Sequence, residues 1–335
     1  MHGKAMKVIT FGEVMMRLSA PRHLRIPQAR SFDAVFGGSE ANVAASLAAF
    51  GISTEHVTRF PENELGFAAT AYLRSMGVGT SYILYGPQRM GLYFLETGAM
   101  ERSSKIIYDR FDSAFSHITT SIIEWDQIFK DATWFHWTGI TPAISAGAAA
   151  VCLDALYAAK KHGLTVSGDI NYRRNLWQYG KKAPEVMPEL ISLTDHVVAG
   201  AADIANCTGI SGDDFGSSGA KLCSAFPNVI SVSSTNRTSI SASHNQIDAL
   251  MHLPGRSYQS SSYELNPIVD RIGTGDAFMA GLINGWIRGW EPGSTLEFAT
   301  AACAWKHSIE GDVNVASPHE IESLMKRENV GKLLR

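Results

Sequence analysis

The feature that most constrains the fold is the alternation of short β-rich runs with segments of helical periodicity. Seven runs of β-branched, aromatic and other apolar residues recur along the chain, at 7–14, 55–60, 80–85, 133–139, 164–170, 196–200 and 229–234. Strands that alternate with helices are typical of a mainly parallel sheet. The sequence therefore predicts an α/β fold.

Two segments interrupt this alternation and are predicted to form a second, smaller sheet. Residues 17–37 contain two prolines, and residues 86–110 alternate aromatic, β-branched and polar side chains without a helical period. Because the two segments are similar in character, we expect them to pair in one sheet that lies over a crevice as a lid. No linker rich in Pro, Gly or Ser divides the chain. We therefore expect residues 1–335 to form a single domain that carries this lid.

Three serines occupy positions typical of helix starts. Ser39 precedes the helical segment 40–50 and is predicted to cap it. Ser294 and Ser317 each stand three residues before a glutamate, at the spacing of a capping box. We assign these serines no chemistry.

Charge and composition narrow the class of partner. The 335 residues contain 29 Lys and Arg against 32 Asp and Glu, a formal charge of −3, which lacks the basic character of a nucleic-acid-binding protein. No apolar run is long enough to span a membrane. Four cysteines without a C-x-x-C pair are predicted to be buried free thiols, which suit a reducing cytoplasm: Cys152, Cys207, Cys223 and Cys303. The expected partner is a small molecule.

His136 lies in the apolar run at 133–139. A lone histidine in such a strand is predicted to be a hydrogen-bonded core residue, since no second histidine or cysteine stands at the spacing of a zinc site.

The most informative motif joins a glycine-rich turn to a buried helix. Asp270 is followed by Gly273-Thr274-Gly275-Asp276, after which apolar residues recur at helical spacing. The N-terminus of a helix presents unpaired N–H donors and a partial positive charge, and glycines let an anion approach the backbone. The motif predicts a phosphate or oxyanion site, with helix capping as the structural alternative for Asp276. A dinucleotide-binding fold is disfavoured, because the motif does not follow the first strand.

This motif resembles the C-terminal signature of the ribokinase-like (PfkB) family of sugar kinases, in which an Asp is followed after two residues by Gly-x-Gly-Asp. Residues 37–44 resemble the N-terminal signature of that family. Within the family, the chain resembles the 2-keto-3-deoxygluconate kinases in six further blocks, at 11–19, 91–98, 102–110, 134–142, 169–173 and 306–312. The resemblance implies a three-layer α/β/α fold with a β-sheet lid.

The resemblance also implies an activity and a set of roles. The implied reaction transfers the γ-phosphoryl group of ATP to the terminal hydroxyl of 2-keto-3-deoxygluconate. In this reaction Gly273, Thr274 and Gly275 would stabilise the transferred group, and Asp276 would accept the hydroxyl proton. The resemblance assigns acceptor binding to Gly37, Gly38, Asn42, Tyr93, Tyr108, Arg110, Arg173, Asp276 and Asp312. It assigns nucleotide binding to Asn171, Arg173, Thr235, Arg237, Gly273 and Gly275.

The residue types fit a sugar acid as the acceptor. A 2-keto-3-deoxy acid carries a carboxylate, which needs cationic or amide donors. The resemblance implies that Tyr93, Tyr108, Arg110 and Arg173 stand at the positions that bind it. Alternation along a strand places Tyr108 and Arg110 on one face. Gly37 and Gly38 either let the backbone contact the acceptor or let a helix pack closely on a sheet, and a solvated arginine remains the alternative for each cation.

Mg²⁺ and a homodimer paired through the lid sheet are also implied by the resemblance. Asp270 is expected either to hold a monovalent cation or to shape the turn. Kinases of this kind carry Asn-Glu-x-Asp/Glu after the strand at 196–200, whereas this chain reads Gly200-Ala201-Ala202-Asp203 and retains only Asp203 as a candidate metal residue. Two alternatives therefore stay open: a PfkB kinase for another sugar, and a sugar-acid-binding protein with little kinase activity.

Overall fold

The computed structural model describes residues 6–328. The predicted domain therefore extends beyond the described residues at 1–5 and 329–335. The strands are β1 (Lys7–Phe11), β2 (Met15–Ser19), β3 (Asp33–Gly37), β4 (Ser53–Pro61), β5 (Ile83–Gly86), β6 (Leu92–Glu96), β7 (Lys105–Asp109), β8 (Trp134–Thr138), β9 (Thr165–Asp169), β10 (His196–Val198), β11 (Ser231–Ser239), β12 (Asn245–Leu253), β13 (Arg256–Gln259) and β14 (Tyr263–Leu265). The helices are α1 (Ser39–Ala49), α2 (Glu64–Ser75), α3 (Trp125–Ile128), α4 (Thr141–Ile144), α5 (Ala146–Lys161), α6 (Ala183–Ile191), α7 (Ala201–Thr208), α8 (Phe215–Ala225), α9 (Thr274–Ile287), α10 (Pro292–Lys306) and α11 (Pro318–Lys326).

The larger sheet confirms the predicted α/β fold. Its strand order is β13-β12-β11-β10-β9-β8-β1-β4-β5, and β14 pairs with β12. The strands from β11 to β5 pair in parallel, whereas β12 pairs antiparallel with β11, β13 and β14. The seven predicted runs all coincide with strands of this sheet. The sequence did not predict β12, β13 and β14, nor the second half of β11, where residues 235–239 are polar and signal no strand.

Alternating side chains of the central strands divide the interior into two cores. Val8 of β1 packs with Phe278 and Phe298 from α9 and α10. Its neighbours Ile9 and Phe11 pack in the other core, which includes residues of α5 and α6. Helices therefore cover both faces of the sheet, as the three-layer prediction required.

Residues 17–37 and 86–110 contribute to one second sheet, as predicted. Its strand order is β3-β2-β6-β7, with β2 parallel to β6 and the outer pairs antiparallel. We call it the small sheet. Its first strand begins at Met15, two residues before the predicted segment, and Gly86 ends β5 of the larger sheet instead.

The helix starts agree with the sequence in one case of three. The capping box of Ser317 is confirmed, since its Oγ accepts from the backbone N–H of Glu320. The prediction for Ser294 is wrong, because α10 already begins at Pro292, and proline is favoured in the first helical turn.

Ser39 does not cap α1 either. The helix begins at Ser39 itself, and the N-cap is Gly38 in an extended conformation. The hydroxyl of Ser39 points instead at Asp276, 237 residues later in the chain.

The predictions for the thiols and for His136 hold. All four cysteines are free and buried. Within residues 6–328, no helix is both long enough and apolar enough to cross a bilayer. His136 is fully buried, and its Nδ1 lies 3.0 Å from Ser167 Oγ.

His136 belongs to a row of polar side chains that crosses the middle of the larger sheet in register. The row comprises His56, Thr10, His136, Ser167, His196 and Ser231. Each histidine places its Nδ1 within 3.0 Å of a hydroxyl of this row. Burial lowers the pKa of His56 and His136 to about 3 and that of His196 to about 4. The row therefore stays uncharged at neutral pH.

This row predicts a contribution to acid sensitivity that one variant can isolate. Below pH 6.5 His136 is protonated in the unfolded chain, whereas in the folded protein it stays neutral down to about pH 3. His136 therefore lowers the free energy of unfolding by about 1.4 kcal/mol for each unit by which the pH falls in this range. In His136→Asn, which keeps a polar atom near Ser167, we expect the slope of unfolding free energy against pH between 6 and 4 to fall by about that amount. Urea denaturation measures it.

His319→Asn is the control, because His319 is exposed. We expect this variant to keep the wild-type slope. Equal slopes for wild type and His136→Asn would contradict the assignment.

Candidate active site

The predicted site residues converge on one cavity of about 330 Å³. It lies between the small sheet and the carboxyl ends of β1 and β9, where open α/β sheets commonly bind ligands. Fourteen of the predicted residues line it: Gly37, Gly38, Asn42, Tyr93, Tyr108, Arg110, Asn171, Arg173, Arg237, Gly273, Thr274, Gly275, Asp276 and Asp312. Thr235 and Asp203 lie outside the cavity lining.

The glycine-rich turn opens helix α9 toward this cavity. Gly273 is the N-cap and has a φ of +77°, and a Cβ there would lie 1.8 Å from the backbone oxygen of Asp312. Only glycine meets both requirements. A Cβ on Gly275 would meet nothing within 4 Å, so this backbone faces open space. The first turn of α9 therefore offers its unpaired N–H groups to an anion in the cavity.

Asp276 lies in this first turn and is held from another helix. Its Oδ1 accepts from Ser39 Oγ at 2.5 Å, and its Oδ2 accepts from Asn42 Nδ2 at 2.7 Å. Asp276 does not cap α9, so the structural alternative for this residue is not observed. Burial raises the pKa of Asp276 to about 6, although the two hydrogen bonds favour the charged form. The carboxylate is therefore oriented and can accept a proton near neutral pH.

Asn42, which is predicted to contact the acceptor, lines the cavity, and its amide also forms hydrogen bonds within the protein. Nδ2 donates to Asp276, and Oδ1 accepts from the backbone N–H of Gly38 at 3.4 Å. Ser39, which the sequence suggested only as a cap, joins Asn42 on the same face of α1. The three-residue spacing of Ser39 and Asn42 was the available signal, because such residues are neighbours on a helix.

Gly37 and Gly38 permit close packing, which is the structural alternative left open above. A Cβ on Gly37 would lie 1.9 Å from Asp312 Oδ2, and one on Gly38 would lie 2.0 Å from the backbone oxygen of Glu13. Asp312 also accepts from the hydroxyl of Tyr93. Gly37 thus lets the end of β3 approach Asp312, and Gly38 lets the start of α1 approach the segment between β1 and β2.

Asp270 shapes the turn. Its Oδ1 accepts from the backbone N–H of Ile272 at 3.0 Å, and its Oδ2 accepts from Gly311 N at 3.0 Å and pairs with Arg17 Nη2 at 2.6 Å. These contacts favour the turn-shaping role over the monovalent cation site.

The two arginines that are predicted to bind the acceptor differ in whether a carboxylate of the protein neutralises their charge. Arg110 is buried and pairs through Nε and Nη2 with Glu13 Oε2, a partner that the sequence did not suggest. Its guanidinium lies over the ring of Tyr108, 5.9 Å from the centroid, so the two residues share a face as predicted. Arg173 is exposed and donates to the backbone oxygen of Tyr172. Arg173 therefore offers the cavity a positive charge with no carboxylate bonded to it.

Two further arginines, Arg237 and Arg271, line the cavity. Arg237 Nη2 lies 3.5 Å from Thr274 Oγ1 and 3.3 Å from His307 Nε2. Arg271, which the sequence did not single out, lines the cavity and donates to the backbone oxygens of Ser241 and Ala242. Positive charge beside a helix N-terminus suits the phosphates of a nucleotide.

Acidic groups complete the cavity. Asp169, at the end of β9, has its pKa raised to about 8 by burial and by the carboxylates of Asp276 and Asp203. Glu40 accepts from the hydroxyls of Thr138 and Thr141, and burial raises its pKa to about 7. The sequence did not single out either residue.

The predicted metal residue has a structural contact. Asp203 Oδ2 accepts from the backbone N–H of Gly200 at 3.1 Å, at the start of α7. Within residues 6–328, no group of three or more His, Cys, Asp or Glu residues is arranged to hold a metal ion. Mg²⁺ in kinases is held mostly by phosphates and water with one or two carboxylates. Asp169 and Asp203, which influence each other electrostatically, fit that limited requirement.

A buried carboxylate beside a glycine-rich helix N-terminus, at the carboxyl ends of a parallel sheet and under a second small sheet, is the arrangement of ribokinase-like sugar kinases. The chain belongs to the pfkB family of carbohydrate kinases, whose family model matches residues 5–318. It is 31% identical over 325 residues to the 2-dehydro-3-deoxygalactonokinase of Haloferax volcanii, and the aligned region covers 97% of this chain and 98% of that protein.

Solved structures of carbohydrate kinases are similar to this chain. The 2-dehydro-3-deoxygluconokinase from Thermotoga maritima has a TM-score of 0.91 and 42% identity, with 96% of this chain and 99% of that chain covered. A fructokinase of Xylella fastidiosa with bound ATP shares the fold, with a TM-score of 0.81, 21% identity and coverage of 96% and 99%.

The hydrogen bonds to Asp276 predict a shift in the pH dependence of activity. Ser39→Ala removes a bond that lowers the pKa of Asp276, so we expect that pKa to rise above its value of about 6. A base must be deprotonated, and kcat/KM should therefore begin to fall at a higher pH in the variant, by about one pH unit. The pH profile of kcat/KM measures this shift.

Ser46→Ala is the matched control. Ser46 lies on the same helix and is buried, but its hydroxyl donates to the backbone oxygen of Asn42. In Ser46→Ala, kcat/KM should fall on the acidic side at the same pH as in the wild type. An unshifted limb in Ser39→Ala would show that Asp276 does not control the titration.

Proposed function

We propose that this protein is a sugar-acid kinase that transfers the γ-phosphoryl group of ATP to the terminal hydroxyl of 2-keto-3-deoxygluconate. The observation that carries the proposal is the buried carboxylate of Asp276, which Ser39 and Asn42 orient beside the glycine-rich start of α9. This arrangement places a proton acceptor next to a set of anion-binding N–H groups.

The chain's own residues supply the two requirements of phosphoryl transfer. Asp276 accepts the proton of the attacking hydroxyl, and its pKa of about 6 leaves it mostly charged at neutral pH. The backbone of Gly273, Thr274 and Gly275 stabilises the charge on the transferred group. Arg237, 3.5 Å from Thr274 Oγ1, adds a cation on the nucleotide side.

Mg²⁺ bound with ATP would neutralise phosphate charge, and Asp169 and Asp203 are the residues that would hold it. Burial and the carboxylates of Asp276 and Asp203 raise the pKa of Asp169, so a cation there would relieve the repulsion. Asn171 follows on the same loop and donates its backbone N–H to Asp169 Oδ1.

The acceptor is proposed to be a sugar acid because of the arginines that line the cavity. Arg173 has no bonded carboxylate, whereas the charge of Arg110 is matched by Glu13. Arg173 would bind the carboxylate of the acceptor, while Tyr93 and Tyr108 would contact its body. The names of the Haloferax and Thermotoga relatives, both for 2-dehydro-3-deoxy sugar acids, support this class of acceptor.

The small sheet is proposed to act as the lid of a single domain and to pair with the same sheet of a second copy. Strand β7 is an edge strand whose five residues are all exposed, and Ile107 is 53% exposed. An exposed apolar edge is prone to pairing with another chain. The four free thiols support a reducing compartment such as the cytoplasm.

A second candidate is a sugar-acid-binding protein with little kinase activity. Gly200, Ala201 and Ala202 at the start of α7 carry no polar side chain for a metal or its water shell. Such a protein would bind the acid without turning it over.

A substrate panel with one variant pair tests these proposals. With Mg²⁺ and ATP, we expect ADP release with 2-keto-3-deoxy acids at a kcat/KM at least about a hundredfold above that for ribose, fructose or glucose. Arg173→Met should lower kcat/KM for the acids by about tenfold or more, because a charge-assisted hydrogen bond is lost. Its neighbour Arg174 is exposed and does not line the cavity. Arg174→Met should therefore change little.

The same assay separates the alternatives. A preference for a neutral sugar would contradict the acid assignment and favour a pfkB kinase for another acceptor. Calorimetric binding of the acid without ADP release would favour the binding protein.

A further inference from the structure

A cluster of four buried charged groups lies beneath the turn that opens α9. The cluster comprises Arg17, Lys306, Asp270 and Asp312, each less than a tenth exposed. Arg17 Nη1 donates to Asp312 Oδ1 at 2.9 Å, and Nη2 donates to Asp270 Oδ2 at 2.6 Å. The ammonium group of Lys306 donates to the backbone oxygen of Ile309 at 2.9 Å. Two cations thus balance two carboxylates.

The cluster connects the small sheet to the turn. Arg17 lies on β2 of the small sheet, and its Nε donates to Ser19 Oγ of the same strand at 2.7 Å. Asp270 holds the turn through the N–H of Ile272. The backbone oxygen of Asp312 lies against the α-carbon of Gly273, at the position that excludes any side chain there. The guanidinium of Arg17 thus bonds to the carboxylates of two residues that contact the turn, Asp270 through its side chain and Asp312 through its backbone oxygen.

Arg17 does not line the cavity, so it acts through other residues. Both carboxylates raise its pKa even though burial opposes its charge, and the guanidinium stays charged at all working pH values. Buried carboxylates without a cation would repel each other and separate. The planar fork of arginine holds two carboxylates at fixed angles, which the single ammonium of a lysine cannot do.

We propose that Arg17 is a positioning residue that fixes Asp270 and Asp312, and through them aligns the backbone of Gly273, Thr274 and Gly275 with the acceptor held under the small sheet. The role in turnover rests on the proposed function. The alignment of the turn does not depend on it. A displacement of the anion-binding backbone by a fraction of an ångström lowers the rate of transfer more than it lowers binding.

Arg17→Lys tests this role, because it keeps the buried charge and loses the fork. We expect kcat to fall about tenfold or more, while KM for the acceptor changes by less than about threefold. We also expect the amide hydrogens of residues 268–276 to exchange about tenfold faster by mass spectrometry, with the strands of the larger sheet unchanged.

Arg102→Lys is the matched control. Arg102 belongs to the small-sheet side and pairs with buried Glu96 at 2.8 Å, but this pair does not touch the turn. We expect its kcat and the exchange at residues 268–276 to stay within twofold of the wild type.

Ser19→Ala keeps the test decisive if Arg17→Lys does not fold. It removes the 2.7 Å bond to Nε and leaves all charges in place, so we expect a smaller change of the same kind, about two- to fivefold in kcat. A folded Arg17→Lys with wild-type kcat and unchanged exchange at residues 268–276 would overturn the proposal, as would equal loss in Arg102→Lys.

The two proposals fail in different ways. If the wild type phosphorylates none of the sugars or sugar acids, the proposed function is wrong, and the exchange comparison still decides whether Arg17 aligns the turn.

Discussion

The contact on which the rest of the site depends is that of the Asp276 carboxylate with Ser39 and Asn42. It joins the N-termini of α1 and α9, two helices of the same core. Burying a carboxylate is unfavourable unless it is hydrogen-bonded, and here both oxygens are bonded while the helix start supplies partial positive charge. The balance leaves the pKa of Asp276 near 6, which suits a proton acceptor at neutral pH. The same packing fixes the glycine-rich turn beside the Asp276 carboxylate.

The pairing of charges explains how a nearly neutral protein, with a formal charge of −3, offers a site for anions. The charges of Arg110 and Arg17 are matched by buried carboxylates. Arg173 and Arg237 line the cavity without a bonded carboxylate. The local excess of positive charge in the cavity arises because these two arginines have no carboxylate partner. The buried pair of Arg17 must stay complete, because losing one partner would leave an uncompensated charge under the turn.

Local patterns predicted the fold and part of the site. Runs of apolar residues identified the parallel strands, and the glycine spacing before α9 identified the turn that opens this helix toward the cavity. Contacts between distant segments could not be predicted in this way: Ser39 lies 237 residues from Asp276, and Arg17 lies 253 residues from Asp270. Ser39 has the local signal of a cap, and only tertiary packing turns it toward Asp276. The end of β11 was missed for a related reason, because residues 235–239 are polar and only their pairing with β12 stabilises a strand that their composition does not signal.

The central claim is that Asp276 accepts the proton of the attacking hydroxyl, and Asp276→Asn tests it most directly. The substitution keeps the size of the side chain and removes its basicity. Turnover of a 2-keto-3-deoxy acid should fall by a factor of about 10² to 10⁴, while calorimetry should give an acceptor Kd within a few-fold of the wild type. Turnover within tenfold of the wild type in a folded Asp276→Asn would contradict the account.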